Sequence, residues 1–180
     1  PIQTFKARTD LPPELFNLDI LDGSPPCSTF SMAGSREDAW GKMKHFREGQ
    51  AEQVLDTLFF DFIDLAKKLQ PKVVIAENVK GLVSLGDVKN IIQHDFSTAN
   101  GNDYIVLDPQ VLHAANYGVP ETRERVIFIG IKRSALKPEA IEALEQEIIP
   151  DLYNPYPKPT HNYSANDTTL PVPVSCRDIF

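Results

Sequence analysis

The 180-residue chain has only two cysteines, Cys27 and Cys176, which lie far apart with no metal-type spacing. That argues against a disulfide framework and for a reducing, cytoplasmic setting. Its four histidines (His45, His94, His113 and His161) offer no pair at i, i+4, so no metal site is expected. No run is long and apolar enough to span a bilayer, and no basic start followed by an apolar stretch marks a signal peptide. A membrane partner is therefore not expected. Positive charge is scarce as well: 18 Lys and Arg stand against 25 Asp and Glu, for a formal net charge of -7. This argues against non-specific polyanion binding by the whole surface, though not against a local basic face. The chain opens at Pro1 without an initiator methionine, so the expectation is a trimmed chain or part of a longer one. No internal repeat is visible.

What is present suffices for one domain with a real core, since 42% of the residues are hydrophobic. "LDIL" at 18–21 predicts a short buried strand, stopped by Gly23 and the prolines of "DGSPP". Residues 28–50 are polar and contain glycines, the composition of a long surface loop. "AEQVLDTLFFDFIDLAKKLQ" at 51–70 sets apolar residues at helical intervals along one stripe, and Pro71 closes it. "KVVIAEN" at 72–78 is rich in β-branched residues without polar alternation, which predicts a strand buried on both faces. There follow a second helix over 87–96, a strand around 104–107, a strong strand "RVIFIGI" at 125–131 and a short helix after Pro138. Residues 151–180 are proline-rich and polar, and read as an extended connector after a domain spanning 1–150. Strand, helix, strand, helix, strand, strand is an α/β pattern whose first strands run parallel.

In such sheets the ligand crevice lies beyond the carboxyl ends of the strands. The strand ending near Asp22 delivers Cys27 to that edge, and the strand ending near Ala76 delivers Glu77. An antiparallel final strand would start there too, bringing Arg123 and Arg125. Nearby positive charge lowers a cysteine pKa and the thiolate is the reactive form, so Cys27 is a candidate nucleophile. Pro25 and Pro26 fix φ twice just ahead of it and hold the thiol in place.

The wording of these pieces is more specific still. "SPPCSTFS", "PKVVIAENVKGL" and "NYGVPETRERVIFIG" resemble the proline-cysteine, Glu-Asn-Val and Arg-x-Arg motifs of the cytosine-C5 DNA methyltransferases, in that family's order and spacing. "TLFFDFIDL" looks like the helix leading into the Glu-Asn-Val strand, while "YPKPTHNY" and "VSCRDIF" look like the lead into the target recognition domain. The resemblance implies a partial Rossmann-like, S-adenosylmethionine-dependent methyltransferase domain, with a mixed sheet and flanking helices. It implies that Cys27 adds to C6 of a cytosine flipped out of double-stranded DNA. Glu77 would supply a proton at N3 and accept from the N4 amine. Arg125 would hold the base O2, and Arg123 would order the site. C5 then takes a methyl group from S-adenosyl-L-methionine before losing its proton and Cys27. The resemblance also places Pro25, Ser31 and Asn78 at the substrate, Pro26 and Leu58 at the cofactor, and the 28–50 loop over the DNA. Such an enzyme is expected in a bacterial cytoplasm or from a phage, in the setting of restriction–modification.

Plainer readings stand beside these. Cys176 reads as a small buried apolar residue. Glu77 could pair with Lys80, Arg-Glu-Arg could be a solvated charge cluster, and Leu58 could be core packing. Trp40 with Lys42, Lys44 and Arg47 reads as a solvated loop, because Glu37, Asp38 and Glu48 dilute the charge. Asn78 is expected to order the turn after its strand through its side chain.

The 180 residues also depart from the family pattern. They lack its Phe-x-Gly-x-Gly cofactor motif, the acidic ribose-binding segments, the target recognition domain and the C-terminal motifs. The expectation is a fragment or one piece of a split enzyme, inactive alone, with an unpaired edge beside "LDIL" that a complementary half or a dimer mate covers. Ser28 and Glu121 stand where the family commonly has Gln. Rival functions are an RNA-acting member of the family, a non-catalytic methyltransferase-like interaction module and, remotely, a cysteine hydrolase using His113.

Overall fold

The computed structural model describes residues 1–25, 43–44, 53–54, 58–84, 90, 94–95, 103–164 and 167–178. Its strands are β1 (Ile20–Gly23), β2 (Met43–Lys44), β3 (Gln53–Val54), β4 (Val73–Val79), β5 (Tyr104–Val106), β6 (Gln110–His113) and β7 (Glu124–Lys132). The α-helices are α1 (Ile2–Ala7), α2 (Leu58–Leu69) and α3 (Pro138–Leu144). One mixed sheet runs β1-β4-β7-β5, and β6 also pairs with β7. The fold class is α/β. β1 and β4 are parallel, as two strands joined through a crossover helix can be, and β7 lies antiparallel to β4 from Val73↔Ile131 to Val79↔Arg125.

The α2 stripe explains how the sheet is covered on one side. Phe59, Phe62, Ile63 and Ala66 pack on Val74 and Ala76 of β4 and on Val126 and Phe128 of β7. The Phe59 and Phe128 rings meet edge to face, 5.6 Å apart. The helix stops where Gln70 turns left-handed (φ 55) and donates its amide to the Ala66 carbonyl, directly before Pro71. On the other face Ile105, Leu107, Ile129, Leu144 and Tyr156 form a second cluster, so α3 and the start of the proline-rich segment cover that side.

Several expectations are corrected. β1 starts at Ile20 and is not buried: Ile20 is 58% exposed, because β4 is its sole strand partner among the described residues. β4 is buried on one face only; Val74, Ala76 and Asn78 are covered, while Val73, Ile75, Glu77 and Val79 are half-buried. The long helix, Leu58–Leu69 among the described residues, does not reach back to 51, because Gln53–Val54 instead pair antiparallel with Met43–Lys44. Cys176 is exposed rather than buried, in a 3-10 turn, with its thiol 3.8 Å from the Pro120 carbonyl. The segment from 151 does not run free at its start, since Tyr156 is buried against the sheet. Most of the 28–50 loop and of the helix expected over 87–96 lies outside the described residues, Trp40, Lys42 and Arg47 included. Among the described residues no helix is long and apolar enough to cross a membrane.

Candidate active site

A strand presents successive side chains to opposite faces, and the end of β4 uses this to separate two polar residues. Glu77 emerges on the half-buried face and Asn78 on the buried one. Arg125, near the start of β7, lies one diagonal step from Glu77 across the β4–β7 pair and on the same face. Its Nε is 2.7 Å from Glu77 Oε1, and its Nη1 donates to the Glu124 carbonyl at 2.8 Å. Lys80, the alternative partner for Glu77, is instead bound to Glu124 at 2.8 Å. The Glu77 and Arg125 side chains are 31% and 27% exposed. A pair that open contributes no more than about 1 kcal/mol to stability. Its geometry fits orientation better than it fits holding the fold together.

Arg123, half exposed and 3.8 Å from Glu121, joins Glu77 in lining a cavity of about 210 Å³. Asp22, Gly23, Ser24 and Ile75 complete the wall. The structure therefore brings Glu77 and Arg123 to one pocket, with Arg125 bound to Glu77 at its side. The turn after β1 forms the pocket's other wall. Gly23 is required there by a close approach: a Cβ on it would lie 2.5 Å from the Phe62 ring. Phe62 is itself buried, so the end of β1 is seated against α2.

Asn78 does not line the pocket. Its Nδ2 donates to the Pro25 carbonyl at 3.1 Å and its Oδ1 accepts from the Val79 amide at 2.8 Å. The expected local role is thus extended: the side chain ties the end of β4 to the backbone two residues before Cys27. Pro26, Cys27 and Ser31 lie outside the described residues. Leu58 is buried at the first turn of α2, which fits core packing. Asp22 and Ser24 were not singled out from the sequence, because only the pairing of β1 with β4 brings them to a wall shared with Glu77, whereas Ile75 follows from the two-residue period of β4 itself.

The chain matches the family model for the C-5 cytosine-specific DNA methylases over residues 2–171. It belongs to that family. Among curated methylases, it is 35% identical over 128 residues to the type II methyltransferase M.HpaII of Haemophilus parainfluenzae, covering 68% of this chain and 30% of the relative. It is 36% identical over 135 residues to M.Eco47II of Escherichia coli, covering 70% and 27%. The orphan methyltransferase M.SPRI of Bacillus phage SPR is 34% identical over 128 residues, covering 70% and 26%. The match thus spans 26% to 30% of the length of these methylases. Among solved structures, Spodoptera frugiperda DNMT2 superposes on 72% of this chain and 35% of its own, at a TM-score of 0.46 and 22% identity.

Proposed function

We propose that this chain supplies the base-activating face of a DNA (cytosine-5-)-methyltransferase. The observation that carries the proposal is the Glu77–Arg125 pair at 2.7 Å beside the pocket shared with Arg123, in a chain of this family. C5 of cytosine is a weak nucleophile, so a thiolate must first add to C6. Cys27 forms that bond, and the electron pair of the C5–C6 double bond moves toward C5 and the ring. Glu77 delivers a proton to N3 and accepts from the N4 amine, which stabilises the negative charge gathering on the ring. Arg125 donates to O2 while orienting Glu77, and Arg123 counters charge at the rim. S-adenosyl-L-methionine supplies the methyl group. Loss of the C5 proton then lets the C6–S bond break, returning both thiolate and aromatic ring.

The 180 residues contain no Phe-x-Gly-x-Gly motif of the kind the family uses for that donor. The 180 residues alone are accordingly expected to transfer no methyl group, and double-stranded DNA is the partner of the whole enzyme. The test is covalent trapping. The full-length gene product is incubated with S-adenosylmethionine and duplex DNA carrying 5-fluorocytosine, whose C5 fluorine cannot leave as a proton. A denaturation-resistant adduct should form with wild type and not with Cys27→Ser, and Glu77→Gln should slow it at least about 100-fold. Absence of an adduct with DNA, or an adduct formed with RNA in its place, overturns the proposal.

A further inference from the structure

We infer that Asn116 is a positioning residue for Arg123, acting by docking residues 157–164 against the turn from which the Arg123 loop departs. The inference rests on the methyltransferase reading for its catalytic consequence. β6 ends at His113 and a 3-10 turn follows over Ala114–Tyr117. Asn116 is buried in that turn, and its polar atoms are directed at one distant segment. Its Oδ1 accepts from the amides of Tyr163 (3.2 Å) and Ser164 (2.9 Å), and its Nδ2 donates to Ser164 Oγ at 2.8 Å. Its backbone carbonyl accepts from the amides of Thr160 and His161, at 2.8 and 2.9 Å.

Neighbouring residues close the same joint. The His113 ring lies over Tyr163 with centroids 4.4 Å apart, and the Tyr117 hydroxyl donates to the Pro157 carbonyl at 3.2 Å. Gly118 is left-handed (φ 77), and any Cβ there would stand 2.7 Å from the His161 ring. The far side of this joint faces the site. The Ala114 amide donates to the Arg123 carbonyl at 2.8 Å, and Cys176 reaches the Pro120 carbonyl of the intervening loop. The ion pair of the Arg123 side chain with Glu121 is long, 3.8 Å, and half exposed. Its placement therefore depends on its backbone, which the joint holds.

A leucine at 116 would fill similar volume while leaving the amides of Tyr163 and Ser164 without their buried acceptor. An aspartate would keep the Oδ1 acceptor for both amides, and the Ser164 hydroxyl can turn from accepting to donating. The experiment uses the full-length protein with Asn116→Leu, Asn116→Asp, Arg123→Ala and the Asn116→Leu/Arg123→Ala double variant. Hydrogen exchange at the Ala114 amide should accelerate in Asn116→Leu and stay at the wild-type rate in Asn116→Asp, while amides in β4 keep their protection in both. Single-turnover methyl transfer to duplex DNA should slow by about 10- to 100-fold in Asn116→Leu. The double variant should be no slower than Arg123→Ala, because both changes remove one function. Additive losses, or an unchanged Ala114 exchange rate, overturn the inference. If the wild type transfers no methyl group to DNA, the methyltransferase reading falls, and the exchange measurements still decide whether Asn116 holds the Arg123 backbone.

Discussion

Tyr156 shows how one side chain can repair a sheet. From Val106 to Gln110 the chain advances four residues while β7 opposite, from Gly130 to Ile127, advances three, so one extra residue bulges out. The bulge contains Pro109, which has no amide to offer β7. The Tyr156 hydroxyl enters at this point. It donates to the Ile127 carbonyl at 3.1 Å, and burial pushes its phenol well above the ordinary tyrosine range. Tyr156→Phe keeps the ring and strands the Ile127 carbonyl. The expected loss is about 1–3 kcal/mol of unfolding free energy, measured by urea titration; an unchanged midpoint would contradict this account.

At the scale of elements, α1 is the clearest example of structure made by a partner. Six residues do not hold a helix by themselves. Here Gln3 and Lys6 both bind Asp61 of α2, at 2.9 and 2.6 Å, and Lys6 also reaches Asp64 at 2.8 Å. The Asp61 bond above all, and then Asp64, holds the Lys6 ammonium above its usual range. Lys68 closes the contact by donating to the Lys6 carbonyl at 2.6 Å. Lys6→Met leaves the largely buried Asp61 without its cation, which should cost about 1–2 kcal/mol. Limited proteolysis should then cut within residues 1–10 sooner than in wild type, and equal cleavage rates would refute it.

These elements also mark what was legible in the sequence. The α2 stripe announced itself through its helical apolar period, and β4 and β7 through local runs of β-branched and apolar residues. α1 and β6 did not, since one leans on Asp61 and the other on pairing to β7. The same division runs through the site. Glu77, Arg123 and Arg125 were visible from strand ends and motif wording, whereas Asp22 and Asn116 depend on contacts between distant segments.

For the whole molecule, two buried phenols set an alkaline limit. Burial, followed by the charge of Asp103, pushes Tyr104 up to about 12 from an ordinary 10.0, and its hydroxyl donates to the Pro71 carbonyl. Tyr156 shifts in the same direction, also through burial. A folded-state pKa above the unfolded one means that the folded chain holds its proton more tightly. The stabilisation is therefore complete below about pH 10 and is lost as pH rises through about 12. Thermal midpoints measured from pH 8 upward should fall only above about pH 10, and Tyr104→Phe should make that fall shallower. An identical slope in the variant would exclude this origin.

The alternation along β4 has one last consequence. Because Glu77 and Asn78 face opposite sides, the chemistry of the pocket and the filling of the core are written on a single two-residue phase. A substitution disturbs one of these at a time. Losing or gaining one residue within β4 would turn Glu77 into the α2 interface and Asn78 out toward the pocket. Along this strand, spacing is thus constrained as tightly as identity, and the site can change by substitution far more readily than by insertion or deletion.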